Sequence, residues 1–133
     1  WMHWIGAKNS WHGFSDPDQL MQNFIKQLDT DLPIYLSIDK DVFSQDVVQT
    51  NWDQGHFEEQ HLLDLIRACH GRLIGADITG DVSAYRYQSI MKRVLSAGDG
   101  QSEPSEAEVK VWQIEQQQLN QRLITAIDQQ WRY

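Results

Sequence analysis

Cysteine occurs once, at Cys69, which rules out an internal disulfide and a cysteine-based zinc site within the chain. Its neighbours suggest a buried helical position. No apolar run approaches the roughly 20 residues that span a bilayer. The first residues, Trp1-Met2-His3-Trp4, have neither the charged head nor the long apolar stretch of a secretory signal. The expected compartment is therefore the cytoplasm. Positive charge is scarce: 11 Lys and Arg stand against 19 Asp and Glu, a net charge of -8. Such a surface repels polyanions, so neither nucleic acid nor an anionic membrane is an expected partner, whereas a cationic small substrate or a metal ion fits. Also absent are a Ser-His-Asp order, a glycine-rich phosphate loop and a Cys-His pair. His56 and His61 do not make an H-E-x-x-H zinc helix, because five positions on a helix separate them by more than about a third of a turn. They are expected at a helix start and on its exposed side. His3, His12 and His70 have no evident partner and are expected at the surface or the core edge.

The 133 residues suffice for one domain with a real core and are too few for two, so 1–133 reads as a single domain or fragment. An opening on Trp1 with strongly apolar residues is expected of a piece of something longer. Tryptophan is plentiful, with six in the chain, and large aromatics need a core or a partner surface to cover them. Some are expected to face a missing portion or another subunit.

Periodicity outlines the elements. Trp1 to Ile5 reads as a short strand. Asp16-Pro17 supplies a cap and a first-turn proline, and Leu20, Met21, Phe24, Ile25 and Leu28 recur on one face, predicting a helix from about Pro17 to Leu28. After a turn, Ile34 to Ile38 reads as a buried strand. Leu62, Leu63, Ile66 and Cys69 signal a second helix over about Phe57–His70, with Glu58 and Glu59 at its start and Gly71 as its stop. Leu73 to Ile78 is a second apolar strand, which makes a parallel strand-helix-strand unit. A helix is expected around Tyr87 to Leu95. Ser105 with Glu108 forms a capping box for a long last helix with the stripe Val109, Trp112, Leu119, Leu123, Ile127 and Trp131. The glutamines Gln116-Gln117-Gln118 are expected on its solvated side.

Chemistry concentrates where the first strand ends. Asp39 and Asp41 flank Lys40, and two carboxylates this close repel unless a cation, a proton or backbone donors lie between them. A divalent metal is the simplest resolution; the bland alternative is that Asp39 caps the following turn. The loop after Asp41, through Thr50-Asn51-Trp52-Asp53-Gln54-Gly55, runs about fifteen residues, long for a connector and typical of functional loops. Asp77 and Asp81 leave the second strand beside this rim. Asp77 reads either as a hydrogen-bonded structural acid or as a ligand, and Asp81 as a group placed to meet a cationic substrate.

Together, Ser37-x-Asp39-x-Asp41, the Thr50–Gly55 loop, the acidic start at Glu58 and Glu59, and Gly75-Ala76-Asp77-Ile78 resemble the C-terminal half of the arginase and agmatinase (ureohydrolase) fold. The pattern is similar to that of bacterial arginase-like proteins and covers Ile34 to Asp81. The resemblance implies a three-layer αβα fold with a parallel sheet and a hydrolase of linear C–N bonds in guanidino or related amide compounds. It also implies a binuclear manganese site, with Asp39 bridging both ions and Asp41 holding one, and substrate contacts from Asp81, Thr50, Asn51 and Asp53. The family's remaining ligands, a His and a D-x-H-x-D cluster, lie in its first half and have no match here, and no general acid or base is assigned. The family's usual Asp-Pro after the D-x-D motif is absent, with Val42-Phe43-Ser44-Gln45-Asp46 instead, and Gly80 stands where the family has a substrate-binding Glu, with Asp81 one step on. A non-catalytic arginase-like domain that binds a ligand or a partner chain is the alternative expectation, and a deacetylase-like relative of the fold is a weaker third.

Overall fold

A computed structural model of the chain describes residues 16–28, 32–82 and 104–131. The strand expected at Trp1–Ile5 and the helix expected around Tyr87–Leu95 lie outside them. The described residues form an α/β unit of three helices and a two-stranded parallel sheet. No described helix is long and apolar enough to cross a membrane.

Helix α1, Pro17–Gln27, begins as its sequence predicts: the Asp16 side chain accepts the Asp18 amide at 3.0 Å, and Pro17, which has no amide hydrogen, occupies the first turn. Its carboxyl end is held from across the fold, where the Arg72 guanidinium donates to the Leu28 carbonyl. Strand β1, Ile34–Asp39, pairs in parallel with β2, Leu73–Thr79, with Leu36 opposite Ala76, Ser37 opposite Asp77 and Asp39 opposite Thr79. The register shifts between Ile34 and Tyr35. A Cβ on Gly75 would lie 2.5 Å from the Tyr35 ring, so glycine is required where that ring crosses the neighbouring strand.

The sheet is covered on one side only by the described residues. Leu36 and Ile38 are buried while Tyr35, Ser37 and Asp39 are exposed, so the strand expected to be buried is buried on one face. Helix α2, Glu59–Ala68, is two residues shorter at each end than its apolar pattern predicts. Phe57 is occupied in an extended bridge with Phe43, and after Cys69 the chain turns through Gly71, whose φ of 69° is left-handed. The long helix α3, Glu106–Asp128, starts with the expected capping box, in which Glu108 accepts the Ser105 amide at 2.8 Å and Ser105 Oγ accepts the Glu108 amide at 3.3 Å.

The core joins Leu36, Ile38 and Leu73 of the sheet to Leu62 and Ile66 of α2 and to Leu119, Leu123 and Ile127 of α3. Burial of these side chains is the main stabilising term, and the polar ties orient the helices. Arg122 forms a two-pronged pair with Glu59 at 2.7 and 2.8 Å, fastening α3 to the start of α2. His61 Nδ1 accepts the Glu58 amide at 2.9 Å and leaves Nε2 for Asp18 of α1 at 3.2 Å, so this histidine is a cap and a spacer between helices.

Candidate functional site

Parallel pairing brings the carboxyl ends of β1 and β2 to one rim, where Asp39, Lys40, Asp41, Gly80 and Asp81 assemble. The approach is close because Gly80 carries no side chain. At its φ of 82° a Cβ would stand 2.7 Å from Asp39 Oδ1 and 3.0 Å from the Lys40 amide nitrogen. Gly80 is thus a position that holds the two strand ends together.

Asp39 Oδ1 accepts the Asp41 amide at 3.2 Å and caps the short 3-10 turn Lys40–Val42. The capping role and the ligand role are compatible, since a carboxylate offers about four lone-pair sites and the cap uses one. Asp41 is different. Its Oδ1 is buried and has no hydrogen-bond partner, and burial pushes its carboxyl above the usual range. A hydrogen bond from Thr50 and the Lys40 ammonium oppose that shift, while the Asp39 charge adds to it. An ionisable oxygen left bare in this way is a costly feature that a cation would relieve.

The loop after the turn is organised by Gln54. Its Nε2 donates to the carbonyls of Val48 at 2.7 Å and Phe43 at 3.3 Å, and its Oε1 accepts the Thr50 amide at 3.2 Å. The Gly55 amide donates to the Asp41 carbonyl at 2.7 Å, where a Cβ would strike the Val42 carbonyl, so the loop closes against the rim. Of the predicted substrate contacts, Thr50 and Asn51 are buried in this closure and Thr50 reaches Asp41. Asp53 is exposed and makes no hydrogen bond or ion pair with Asp39 or Asp41. Asp81 is exposed, and its Oδ1 is taken by the Lys40 ammonium and by Asn120 Nδ2 at 3.4 Å. That ammonium holds the Asp81 carboxyl below the usual carboxylate range. Asp77 accepts a hydrogen bond from Ser37 Oγ at 2.9 Å across the strands, the structural arrangement of the two foreseen.

Two residues of the site escaped the sequence reading. Lys40 is wholly buried, its Nζ shared between Asp81 and Asn120 Oδ1, the latter at 3.2 Å. The available signal was alternation: Leu36, Ile38 and Lys40 continue one inward-facing row. Gln116 was expected in solvent and is buried. Its Oε1 accepts the Val82 amide at 2.8 Å, and its Nε2 donates to the Gln49 carbonyl at 2.7 Å and the Gly80 carbonyl at 3.3 Å. It lies four residues after Trp112 and three before Leu119, inside the apolar stripe, so helical period marked it as inward despite its polarity. Gln116 and Asn120, one turn apart on α3, thereby clamp the loop, the end of β2 and the Lys40–Asp81 pair.

Cys69 is buried and burial pushes its thiol up, which disfavours a nucleophilic thiolate. Among the described residues no group of three or more His, Cys, Asp and Glu side chains is placed to hold a metal ion. The carboxylates of Asp39 and Asp41 suit a hard divalent cation in kind, and further donors are needed to complete a shell. Compared with models of protein families, with curated proteins and with solved structures, the chain matches none.

Proposed function

We propose that this chain is part of a cytoplasmic arginase-like α/β metallohydrolase, the C-terminal half of a three-layer αβα fold, that hydrolyses a linear C–N bond in a guanidino or related amide compound. The observation that carries the reading is the buried, unpartnered Asp41 Oδ1 beside Asp39 at the joint end of two parallel strands. In open α/β sheets that end is where ligands are placed. Asp39 and Asp41 would hold manganese, with the remaining donors supplied from outside the described residues. Two such ions would supply Lewis acidity for the hydrolysis of a guanidinium or amide C–N bond.

The chain's own residues define the surroundings. Thr50, buried in the loop, favours the ionised Asp41 carboxylate, and Gln54 staples that loop through the Val48 carbonyl. Asn51 and Asp53 stand on the buried and exposed sides of the loop, and Asp81, exposed at the rim and paired with Lys40 through Oδ1, would turn its other carboxylate oxygen to a cationic substrate. The test is the manganese content of the longest natural form of the protein, compared with Asp39→Asn/Asp41→Asn. Two ions per complete site, lost together with manganese-dependent urea or amine release in the double variant, are expected. Equal metal content and equal activity in both proteins overturn the assignment.

A second reading, a non-catalytic arginase-like domain that binds a ligand or partner chain, is favoured by Lys40. A buried ammonium paired with Asp81 supplies positive charge at the rim without any metal. That reading requires partner binding that persists in a metal chelator.

A further inference from the structure

Lys40 stands between Asp39 and Asp41 in the chain, and its side chain points away from that of Asp39. Successive side chains alternate between faces on extended backbone, so Lys40 follows Leu36 and Ile38 inward while Asp39 is exposed. There the Lys40 ammonium donates to Asp81, just beyond β2, and to Asn120 Oδ1 of α3 at 3.2 Å. Asn120 Nδ2 closes the triangle on Asp81 at 3.4 Å. Asn120 is held in turn: its helix neighbours Leu119 and Leu123 are fully buried in the core, and Gln116, one turn earlier, donates to the Gly80 carbonyl at 3.3 Å. Packing alone does not call for a lysine at this position. An apolar side chain of similar length would extend the row of Leu36 and Ile38 without desolvating an ammonium, and buried ion pairs are often replaced by such residues at little loss. What an apolar side chain lacks is direction. An ammonium shared by oxygens from the β2 exit and from α3 fixes the backbone of residue 40 against both. That backbone carries the turn on which the carboxylates depend, since the Lys40 carbonyl accepts the Phe43 amide at 3.2 Å and Asp39 Oδ1 accepts the Asp41 amide at 3.2 Å.

We propose that Lys40 is the positioning residue of the Asp39 and Asp41 pair: anchored by Asp81 and Asn120, it sets the spacing at which the two carboxylates meet a divalent cation. The inference rests on the manganese reading of the rim and deepens it, because groups that act together on one ligand must be held to within about 0.5 Å. An ammonium has no lone pair to offer a metal, so Lys40 acts through the backbone. Charge alone would act in the opposite direction, since a fixed cation repels a second one. Loss of the lysine therefore weakens metal binding if it is an anchor and tightens it if it is only a charge.

Titration of the longest natural form of the protein with manganese chloride, followed by the electron paramagnetic resonance signal of free Mn²⁺, tests the proposal. Lys40→Met is expected to weaken the affinity about tenfold, the scale of lost support behind a metal ligand, and Asn120→Leu to weaken it less. Asn120→Asp keeps an oxygen for the ammonium and is expected to bind no more weakly than wild type. Far-ultraviolet circular dichroism verifies that each variant is folded at the titration temperature, where a loss of stability by itself leaves the affinity unaltered. Unchanged or tighter binding in Lys40→Met overturns the proposal, as does binding in Asn120→Asp as weak as in Asn120→Leu. Hydrogen exchange in EDTA keeps this result apart from failure of the metal reading. In Lys40→Met the Asp41 and Phe43 amides are expected to accelerate about tenfold more than those of Ile66 in α2 and Leu119 in α3, which follow the stability of the whole fold. If wild type binds no manganese, the metal reading fails and exchange alone decides: selective acceleration at the turn supports the anchor, and equal acceleration of both pairs of amides, or none, overturns it.

Discussion

Lys40 is wholly buried while Asp81 has a side chain that is 68 % exposed, and this asymmetry sets the cost of losing either partner. Removing the lysine leaves a carboxylate that water can resolvate; removing the acid leaves an ammonium that water cannot reach. Asp81→Asn should therefore cost about 3 kcal/mol at neutral pH and Lys40→Met about 1 kcal/mol, compared by urea unfolding. Equal costs would contradict the burial argument. Because the Asp81 carboxyl is held below its usual range, its contribution is complete above the unfolded-state value and is lost as pH falls through the lower folded-state value. The stability gap between Asp81→Asn and wild type should therefore close in acid. Asp41 has the opposite sign. Its raised carboxyl destabilises the fold once ionised, above its elevated folded-state value, and that penalty vanishes on protonation. Without metal, Asp41→Asn should gain about 1 kcal/mol at neutral pH and nothing in strong acid. With manganese in excess, the wild type alone should show a rise in Tm.

Elements were legible wherever their signals are local. The Asp16 cap with Pro17, the capping box of Ser105 and Glu108, and the apolar runs of both strands involve neighbours within one turn or one strand, so composition and period suffice. Errors arose where distant chain intervened: the first turn expected of α2 is diverted by the bridge from Phe57 to Phe43, and Gln116 is drawn inward by backbone groups of Gln49, Gly80 and Val82. Along α3 the last turn opposes its own dipole, since Asp128 stands where a cation would stabilise. Asp128→Asn should raise stability by about 0.5 kcal/mol at low ionic strength, with the gain shrinking in salt. Chemical denaturation at two salt concentrations measures it, and a loss of stability would show that Asp128 has a cationic partner in solution.

At the scale of the molecule, the net charge of -8 acts on the whole fold. The acids outnumber the cations that pair with them, so mutual repulsion destabilises the compact state and added salt should relieve it. Tm is expected to rise between about 10 and 150 mM sodium chloride, over which the Debye length falls from about 30 to 8 Å. A falling Tm would mean that pairs such as Glu59–Arg122 outweigh the repulsion. The candidate rim was legible as two acids at the end of an apolar strand, because alternation and charge are written in adjacent residues. Its internal wiring was not. The sequence alone determined the order of helix, strand, helix and strand, the capped start of α3 and the placement of Asp39 and Asp41 at the carboxyl end of β1, all consequences of short-range stereochemistry and local hydrophobic period. Only the tertiary structure decided that Lys40 is buried against Asp81, that Gln116 clamps the loop, and that Ser37 holds Asp77 across the strands, because these contacts join segments distant along the chain, brought together when the core closes.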